Sequence, residues 1–167
     1  MPKVEIIFRG DSGFCRWKIL RWCERHRVNY IVGLAKNTRV RAQAAQWINE
    51  AEAMYEQTGK KQRLFASITY AALSWDKSRR VIVKAEHSRL GSNPRFVVTN
   101  LKQGDQYLYD KLYCARGDME NRIKEQQWLF SDRTSCHDWW PNQYRLLLAG
   151  LAYLLLERLR RMYLQRT

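Results

Sequence analysis

The chain has 167 residues, and its composition excludes two classes of protein. Hydrophobic residues make up 46% and charged residues 28%, which excludes an intrinsically disordered chain. The longest apolar run, residues 146–156, is too short to span a bilayer and predicts a buried helix. The 30 Lys and Arg residues outnumber the 16 Asp and Glu residues, which gives a net charge of +14. That charge favours nucleic acid as the partner, although a membrane surface or an acidic protein would also be attracted to it.

The cysteines argue against two kinds of stabilising site. The chain has four, Cys15, Cys23, Cys114 and Cys136, without a CxxC pair or a series of short spacings. This pattern argues against a zinc site and against a disulfide framework. The N-terminal residues also lack the apolar stretch of a signal peptide. We therefore expect small buried thiols in a reducing cytoplasm, and no membrane partner.

Residues 4–34 predict a strand–helix–strand unit. The apolar, β-branched run Val4–Phe8 predicts a central strand that delivers Asp11 to its C-terminal end. A helix over 14–27 follows, and Tyr30–Leu34 predicts a second short, buried strand. Units of this kind build parallel sheets that are covered by helices, so the predicted fold class is α/β.

The rest of the chain predicts helices on either side of a β-rich insertion. Apolar spacings of three and four predict a helix from Thr38 to Thr58, which Gly59 ends. Three β-rich stretches separated by turn residues then predict a hairpin and a third antiparallel strand. The predicted organisation is a half-core with a helix at 1–60, the β-rich insertion at 61–103, and two helices that complete the core at 104–167.

The last of these helices is predicted from Pro141 or Asn142 to Leu164. Proline suits the first turn of a helix, where its missing N–H costs nothing. Four leucines on one side are expected to face the core: Leu147, Leu151, Leu154 and Leu155. This helix is predicted to be mostly scaffold.

The helix that opens at Gly104-Asp105 carries the most informative pattern. At about 100° per residue, four side chains fall within roughly 60° on one face. They are Tyr113, Arg116, Glu120 and Lys124. An apolar stripe lies beside them, formed by Leu112, Met119, Ile123 and Phe130. An aromatic residue with two cations suits a polyanion, and the lone acid is either a salt-bridge partner or a metal ligand.

Asp11 and Glu120 are the two carboxylates best suited to chemistry. Ligands and metals collect at the strand ends of open α/β sheets, where Asp11 is predicted to lie. Paired carboxylates there can hold Mg²⁺, and two such ions can activate an attacking oxygen and stabilise a leaving oxygen in phosphodiester chemistry. Two structural alternatives stay open. Asp11 can cap the helix that follows it, and Glu120 can pair with Lys124 one helical turn away.

The DNA-binding candidates are four cations and one aromatic residue. Arg116 and Lys124 would neutralise phosphate, the first through its bidentate fork and the second as a point charge. Tyr113 would stack on an unpaired base. Lys36 and Arg39, which follow the second predicted strand, complete the set.

Four segments together resemble the C-terminal part of DDE transposases from bacterial insertion sequences. They are Arg9–Phe14, Tyr30–Asn37, Asn93–Asn100 and Tyr113–Glu125. The segments occur in the order of the family, and the most specific piece is Tyr113, Arg116 and Glu120 at the spacing of its Y-R-E-K signature. The resemblance implies a ribonuclease-H-like core, with a β insertion before the helix that carries the catalytic Glu.

The resemblance also implies roles for individual residues. Asp11 matches the second catalytic Asp of the family and Glu120 its catalytic Glu, and both would bind metal. Tyr113 and Arg116 match residues that handle the terminal bases and phosphates of the transposon end.

Two departures from the family pattern affect what the chain is expected to do. The position of the signature Lys is occupied by Gln127, and Lys124, on the same helix face, is its expected substitute. The first catalytic Asp of the family lies upstream of everything that corresponds to Val4. We therefore expect the C-terminal fragment of a bacterial, nucleoid-associated transposase, which binds DNA but is catalytically inert alone.

The full enzyme implied by the resemblance cuts and rejoins DNA at insertion-sequence ends. Its two-metal site, with Mg²⁺ or Mn²⁺, is expected only in the full-length protein. The expected partners are DNA of the transposon ends and of the target, the missing N-terminal part, and a second copy in a synaptic complex. The alternatives are a non-catalytic nucleic-acid-binding protein on the same scaffold and another ribonuclease-H-like nuclease.

Overall fold

A computed structural model of the chain describes residues 4–131 and 133–163. Two compact units are present, Met1–Arg116 and Gly117–Thr167. The first unit is built on a mixed β-sheet with helices, which confirms the predicted α/β class. No described helix combines the length and the apolar character that a bilayer crossing requires.

The first unit begins with the predicted strand–helix–strand arrangement. Strand β1 (Ile7–Gly10) leads through a short 3₁₀ turn (Ser12–Phe14) into helix α1 (Trp17–Arg25), and strand β2 (Asn29–Leu34) follows. The two strands pair in parallel, with Ile7 opposite Asn29. The predicted helix over 14–27 is thus shorter than expected.

Two helices and then four strands come directly after β2. They are α2 (Thr38–Gln43), α3 (Ala45–Thr58), β3 (Gln62–Tyr70), β4 (Arg79–Ser88), β5 (Gly91–Ser92) and β6 (Arg95–Thr99). The predicted helix from Thr38 to Thr58 is broken at Ala44, whose φ of −95° and ψ of 2° depart from helical geometry. Gly59 ends α3 in the left-handed region at φ 64°, which a residue with a Cβ would occupy only with strain.

The strand order of the sheet is β1-β2-β6-β4-β3, with β5 paired to β4. Strand β6 is antiparallel to both of its neighbours, and β3 is antiparallel to β4. Among the described residues β1 therefore lies at one edge of the sheet, and the prediction of a central strand is wrong for this chain. An apolar run predicts that a strand is buried. Which strands lie beside it depends on pairing between distant segments, which the run does not reveal.

Both faces of the sheet are covered by packed side chains. Along β2, Tyr30 and Val32 belong to one core cluster and Ile31 to the other, because successive strand residues point to opposite faces. The first cluster includes Leu20 of α1 and Val40 of α2. Burial on two faces explains why the strands are continuous apolar runs.

The other core cluster includes the segment after β6, which begins with helix α4 (Asp105–Tyr107). A wide π-helical stretch (Leu108–Tyr113) continues it, and Leu108 is fully buried. Ion pairs from Arg80 to Asp105 and from Arg63 to Asp110 connect the segment to β4 and β3. Residues 114–115 then form a turn, so the single helix predicted from Gly104 onward is interrupted there.

The second unit consists of helix α5 (Arg116–Gln126), a π-helical stretch (Gln127–Ser131) and helix α6 (Trp139–Tyr163). Polar contacts connect α5 to α6: Arg122 lies 2.8 Å from Glu157, and the Tyr153 hydroxyl donates to Glu125 at 3.0 Å. Pro141 lies in the first turn of α6, as predicted.

The predicted core face of α6 is exposed. Its leucines range from 44% to 67% exposed. They are Leu146, Leu147, Leu148, Leu151, Leu154, Leu155, Leu156 and Leu159. Met119 and Ile123 of α5, expected to form an apolar contact stripe, are also exposed. Helical spacing identifies the residues that share a face, but it carries no information on what covers that face.

Candidate active site

A cavity of about 440 Å³ lies at the edge of the sheet where β1 and β2 end. Parallel strands bring their C-terminal ends to one edge, and the antiparallel strand β6 begins at that same edge. The wall is formed by the residues that follow β1, by the end of β2 and the residues after it, by the start of β6, and by one residue of the π-helical stretch. The lining residues are Asp11, Ser12, Gly33, Leu34, Ala35, Lys36, Arg95, Phe96 and Tyr113.

Asp11 enters this cavity from a tight turn after β1. One carboxylate oxygen accepts a hydrogen bond from the Gly13 N–H at 2.8 Å, so Asp11 caps the 3₁₀ turn. The ring of Phe14 packs against that of Phe8 at 6.0 Å and holds the turn against the strand. The capping role predicted as an alternative is therefore present, and it engages one of the two carboxylate oxygens.

Tyr113 reaches the same cavity because residue 33 is glycine. A Cβ placed on Gly33 would lie 2.6 Å from the Tyr113 hydroxyl oxygen, closer than such atoms approach. The ring of Tyr113 is supported by Tyr109, with the centroids 5.5 Å apart. Glycine thus allows the close approach that brings the phenol to the wall beside Asp11.

Lys36 and Arg95 make the cavity wall positive. The Lys36 ammonium donates to the Asn93 side-chain oxygen at 3.1 Å. Burial lowers the pKa of Lys36, and the nearby charges of Arg95, Arg41 and Lys84 lower it further. Lys84 is balanced by Glu86 at 3.0 Å, whereas neither Lys36 nor Arg95 forms an ion pair within the described ranges. The wall therefore offers two cations to an anion that comes from outside.

Arg95 was missed by reasoning from the sequence. It lies in the segment Asn93–Asn100, which was singled out only for its resemblance. The direction of β6 would have placed Arg95 at the cavity, because the first residue of an antiparallel strand lies beside the last residues of its neighbours. That direction is known only once the pairing of β6 with β2 is known.

The structure brings together three of the predicted site residues, Asp11, Lys36 and Tyr113. Arg39 is exposed and lines a different cavity, with Tyr70 and Leu73. Its predicted role in DNA binding stays a prediction. The side chain of Arg116 lies outside the described part of the structure.

Glu120 and Lys124 lie in α5, in the second unit, and both are exposed. The alternative of an ion pair between them stays a prediction. On the same helix, Glu125 contacts Arg122 at 3.1 Å. Because the turn at 114–115 interrupts the helix, Tyr113 and Glu120 do not belong to one continuous helix.

The cavity lining supplies one carboxylate that is suited to bind a divalent metal. Among the described lining residues, Asp11 is the one carboxylate. Magnesium is commonly held by one or two carboxylates and completed by substrate phosphates, which Lys36 and Arg95 suit. No group of three or more His, Cys, Asp or Glu side chains within the described ranges is placed to hold a metal. A metal here would thus depend on substrate oxygens and on further carboxylates.

The chain matches the family described as Transposase DDE domain group 1, and the match covers residues 1–167. No curated protein and no solved structure matches it significantly. Since the family match spans the whole chain, this protein belongs to the DDE transposase domain family, as the four resembling segments predicted.

Proposed function

We propose that this DDE transposase domain binds DNA at the Asp11 cavity and serves metal-dependent cleavage and strand transfer at insertion-sequence ends. The observation that carries the proposal is the shared cavity. It holds the matched acid Asp11, the matched aromatic Tyr113 and two cations without carboxylate partners in the described structure. A ribonuclease-H-like core is part of the proposal, and the parallel pairing of β1 with β2 across a helix supports it.

Each lining residue has a proposed role in this reaction. Lys36 and Arg95 bind a phosphate of the strand, whose negative charge opposes the burial and the neighbouring cations that lower the pKa of Lys36. Tyr113 contacts the base or sugar next to that phosphate. Asp11 and, by the family resemblance, Glu120 would be the carboxylates that hold Mg²⁺ or Mn²⁺. A bound ion would stabilise charge on the phosphate and lower the pKa of an attacking water.

The test measures DNA affinity rather than turnover. A labelled duplex is titrated with the wild type, with Lys36→Gln/Arg95→Gln and with the matched control Lys60→Gln/Lys102→Gln, in which two exposed cations outside the cavity are replaced. We expect the cavity variant to bind about tenfold more weakly. Its salt dependence should lose about 0.9 in logarithmic slope for each phosphate contact removed. Equal binding by the two double variants would contradict the proposal.

The second candidate function is a non-catalytic DNA-binding domain. The hydrogen bond from Gly13 to Asp11 favours it, since this acid already has a structural role. Binding of Mn²⁺, followed by electron paramagnetic resonance with DNA present, separates the two candidates. Asp11→Asn and Glu120→Gln should each weaken Mn²⁺ binding, while the exposed control Glu50→Gln should not. Unchanged Mn²⁺ binding in all three variants would favour the non-catalytic candidate.

A further inference from the structure

The exposed side of α1 is a surface of cations and aromatic rings. It forms a shallow groove of about 270 Å³ that shares no residue with the Asp11 cavity. Its lining residues are Trp17, Lys18, Arg21, Trp22, Arg25 and His26. Leu20 and Cys23, on the other side of the helix, are buried in the core. The groove is therefore not needed to fix α1 on the sheet.

The single acid of α1 is directed away from this groove. Glu24 accepts hydrogen bonds from Arg79 at 2.8 Å and from the Tyr30 hydroxyl at 2.8 Å, and Lys77 lies 2.9 Å away. In the part of the chain that the structure describes, no carboxylate forms an ion pair with the cations of the groove. The pKa of Asp76 is lowered by its hydrogen bond from Arg79 and also by the charge of Arg21, so an acid acts on the groove from a distance and none of the described acids is paired within it.

The aromatic residues of the groove are arranged for contact with a flat partner. Trp22 is 55% exposed, and its ring stacks on His26 with centroids 4.2 Å apart and planes 21° apart. The His26 ring also contacts the Trp22 carbonyl at 2.8 Å, which fixes the pair. Lys18 and Arg21 lie 5.9 Å from the Trp17 ring centroid on their common helix. Such a large exposed aromatic surface beside cations suits a base and its phosphates.

We propose that the groove on α1 is a second DNA-binding surface, which takes single-stranded or unpaired DNA. Lys18, Arg21 and Arg25 bind its phosphates, and the stacked pair of Trp22 and His26 receives a base. Duplex DNA offers the phosphates but keeps its bases stacked inside, so the exposed indole favours a single strand. This inference shares with the proposed function only the assumption that the ligand is DNA. The groove and the cavity have no residue in common, so the two sites can be tested separately.

The test uses the full chain and a labelled single-stranded oligonucleotide over a range of salt concentrations. Two variants alter the groove, Arg21→Gln/Arg25→Gln and Trp22→Leu. Each is expected to bind about tenfold more weakly, and the arginine variant should lose about 0.7 in salt slope for each phosphate contact removed. Trp22→Phe should retain most of the affinity, because it keeps a ring. Lys60→Gln/Lys102→Gln serves as the charge-matched control, and circular dichroism confirms that each variant is folded.

The outcomes separate this inference from the proposed function. If the wild type binds the oligonucleotide and only Lys36→Gln/Arg95→Gln weakens it, the second surface is overturned and the cavity remains. If the groove variants and the cavity variant each weaken binding and their effects add, both are supported. If the wild type binds neither single-stranded nor duplex DNA, both proposals fail. If Trp22→Leu binds as tightly as Trp22→Phe, the role of stacking is overturned.

Discussion

Two polar regions of the first unit combine carboxylates with cations, and they differ in whether the cations form ion pairs. In the first region Arg79, whose side chain is 2% exposed, lies 2.8 Å from Glu24 and 2.9 Å from Asp76. In the second, Lys36 and Arg95 share a cavity with Asp11 but form no ion pair within the described structure. The first region is closed and balanced, and the second is open with positive charge in excess.

The pKa shifts express this difference. Burial alone would raise the pKa of Glu24, but hydrogen bonds from Arg79, Lys77 and Tyr30 outweigh it and lower that pKa. The charged form of Glu24 is therefore stabilised by the fold. At Lys36 burial and the charge of Arg95 lower the pKa, so the charged form is destabilised. An incoming phosphate would reverse that effect, which makes the open region suitable for a ligand and the closed one for stability.

The largest effect is expected in the closed region, from Arg79→Met. The substitution leaves Glu24 and Asp76 without their buried partner and should lower the free energy of unfolding by about 3–5 kcal/mol. Urea denaturation measures it. Lys77→Met is the matched control, because Lys77 contacts the same Glu24 but its side chain is 56% exposed. We expect the control to cost at most about 1 kcal/mol, and similar losses in the two variants would break the comparison.

A smaller effect is expected in the wall of the open region, from Gly33→Ala. The new Cβ would meet the Tyr113 hydroxyl at 2.6 Å and the Ser12 backbone nitrogen at 3.2 Å. Displacing the tyrosine should cost about 1–3 kcal/mol in unfolding free energy and also weaken DNA binding. Gly104→Ala is the control, since a Cβ there meets nothing within 4 Å. Indistinguishable stability and DNA affinity in the two variants would show that the close approach of Tyr113 is not required.

The smallest effect on stability is expected from Arg95→Gln. Arg95 has no carboxylate partner in the described structure and repels Lys36, so its loss should change the unfolding free energy by no more than about 0.5 kcal/mol. The pKa of Lys36 should rise, which an NMR titration of its ammonium group would detect. Arg80→Gln is the contrasting variant, because Arg80 pairs with Asp105 at 2.6 Å. Arg80→Gln should lower the free energy of unfolding by roughly 1–3 kcal/mol. A comparable loss in Arg95→Gln would show that Arg95 stabilises the fold.

Local patterns in the sequence predicted the elements of the first unit well. The run Tyr30–Leu34 is a strand within one residue, because a strand buried on both faces is a continuous apolar run. Gly59 ends its helix as expected, because glycine adopts the left-handed backbone geometry without strain. The edge position of β1 and the entry of Arg95 into the cavity were not predicted. Both depend on which distant strands pair, and local patterns do not contain that information.

The second unit shows a different limit. Leucine spacing in α6 predicted a buried face, yet Leu147 and Leu155 are 61% and 67% exposed. Spacing determines the side of the helix on which an apolar residue lies. Burial also requires another element that packs on that side, and spacing does not identify it. In the candidate site, Asp11 was predicted from the end of its strand and Tyr113 from its helix face, and the family resemblance gave both a role. The structure added the glycine that allows Tyr113 to approach.

The π-helical stretch Leu108–Tyr113 has a consequence for insertions and deletions in this family member. A π turn holds one residue more than an α turn, so the residues that follow are rotated by about 100° relative to a regular helix. Conversion of the stretch to ordinary helix without a deletion would turn the phenol away from Gly33, whereas a one-residue deletion that removed the π turn would leave its direction unchanged. The hydrogen-bonding pattern of this stretch, and not only its composition, therefore determines which side chain reaches the cavity.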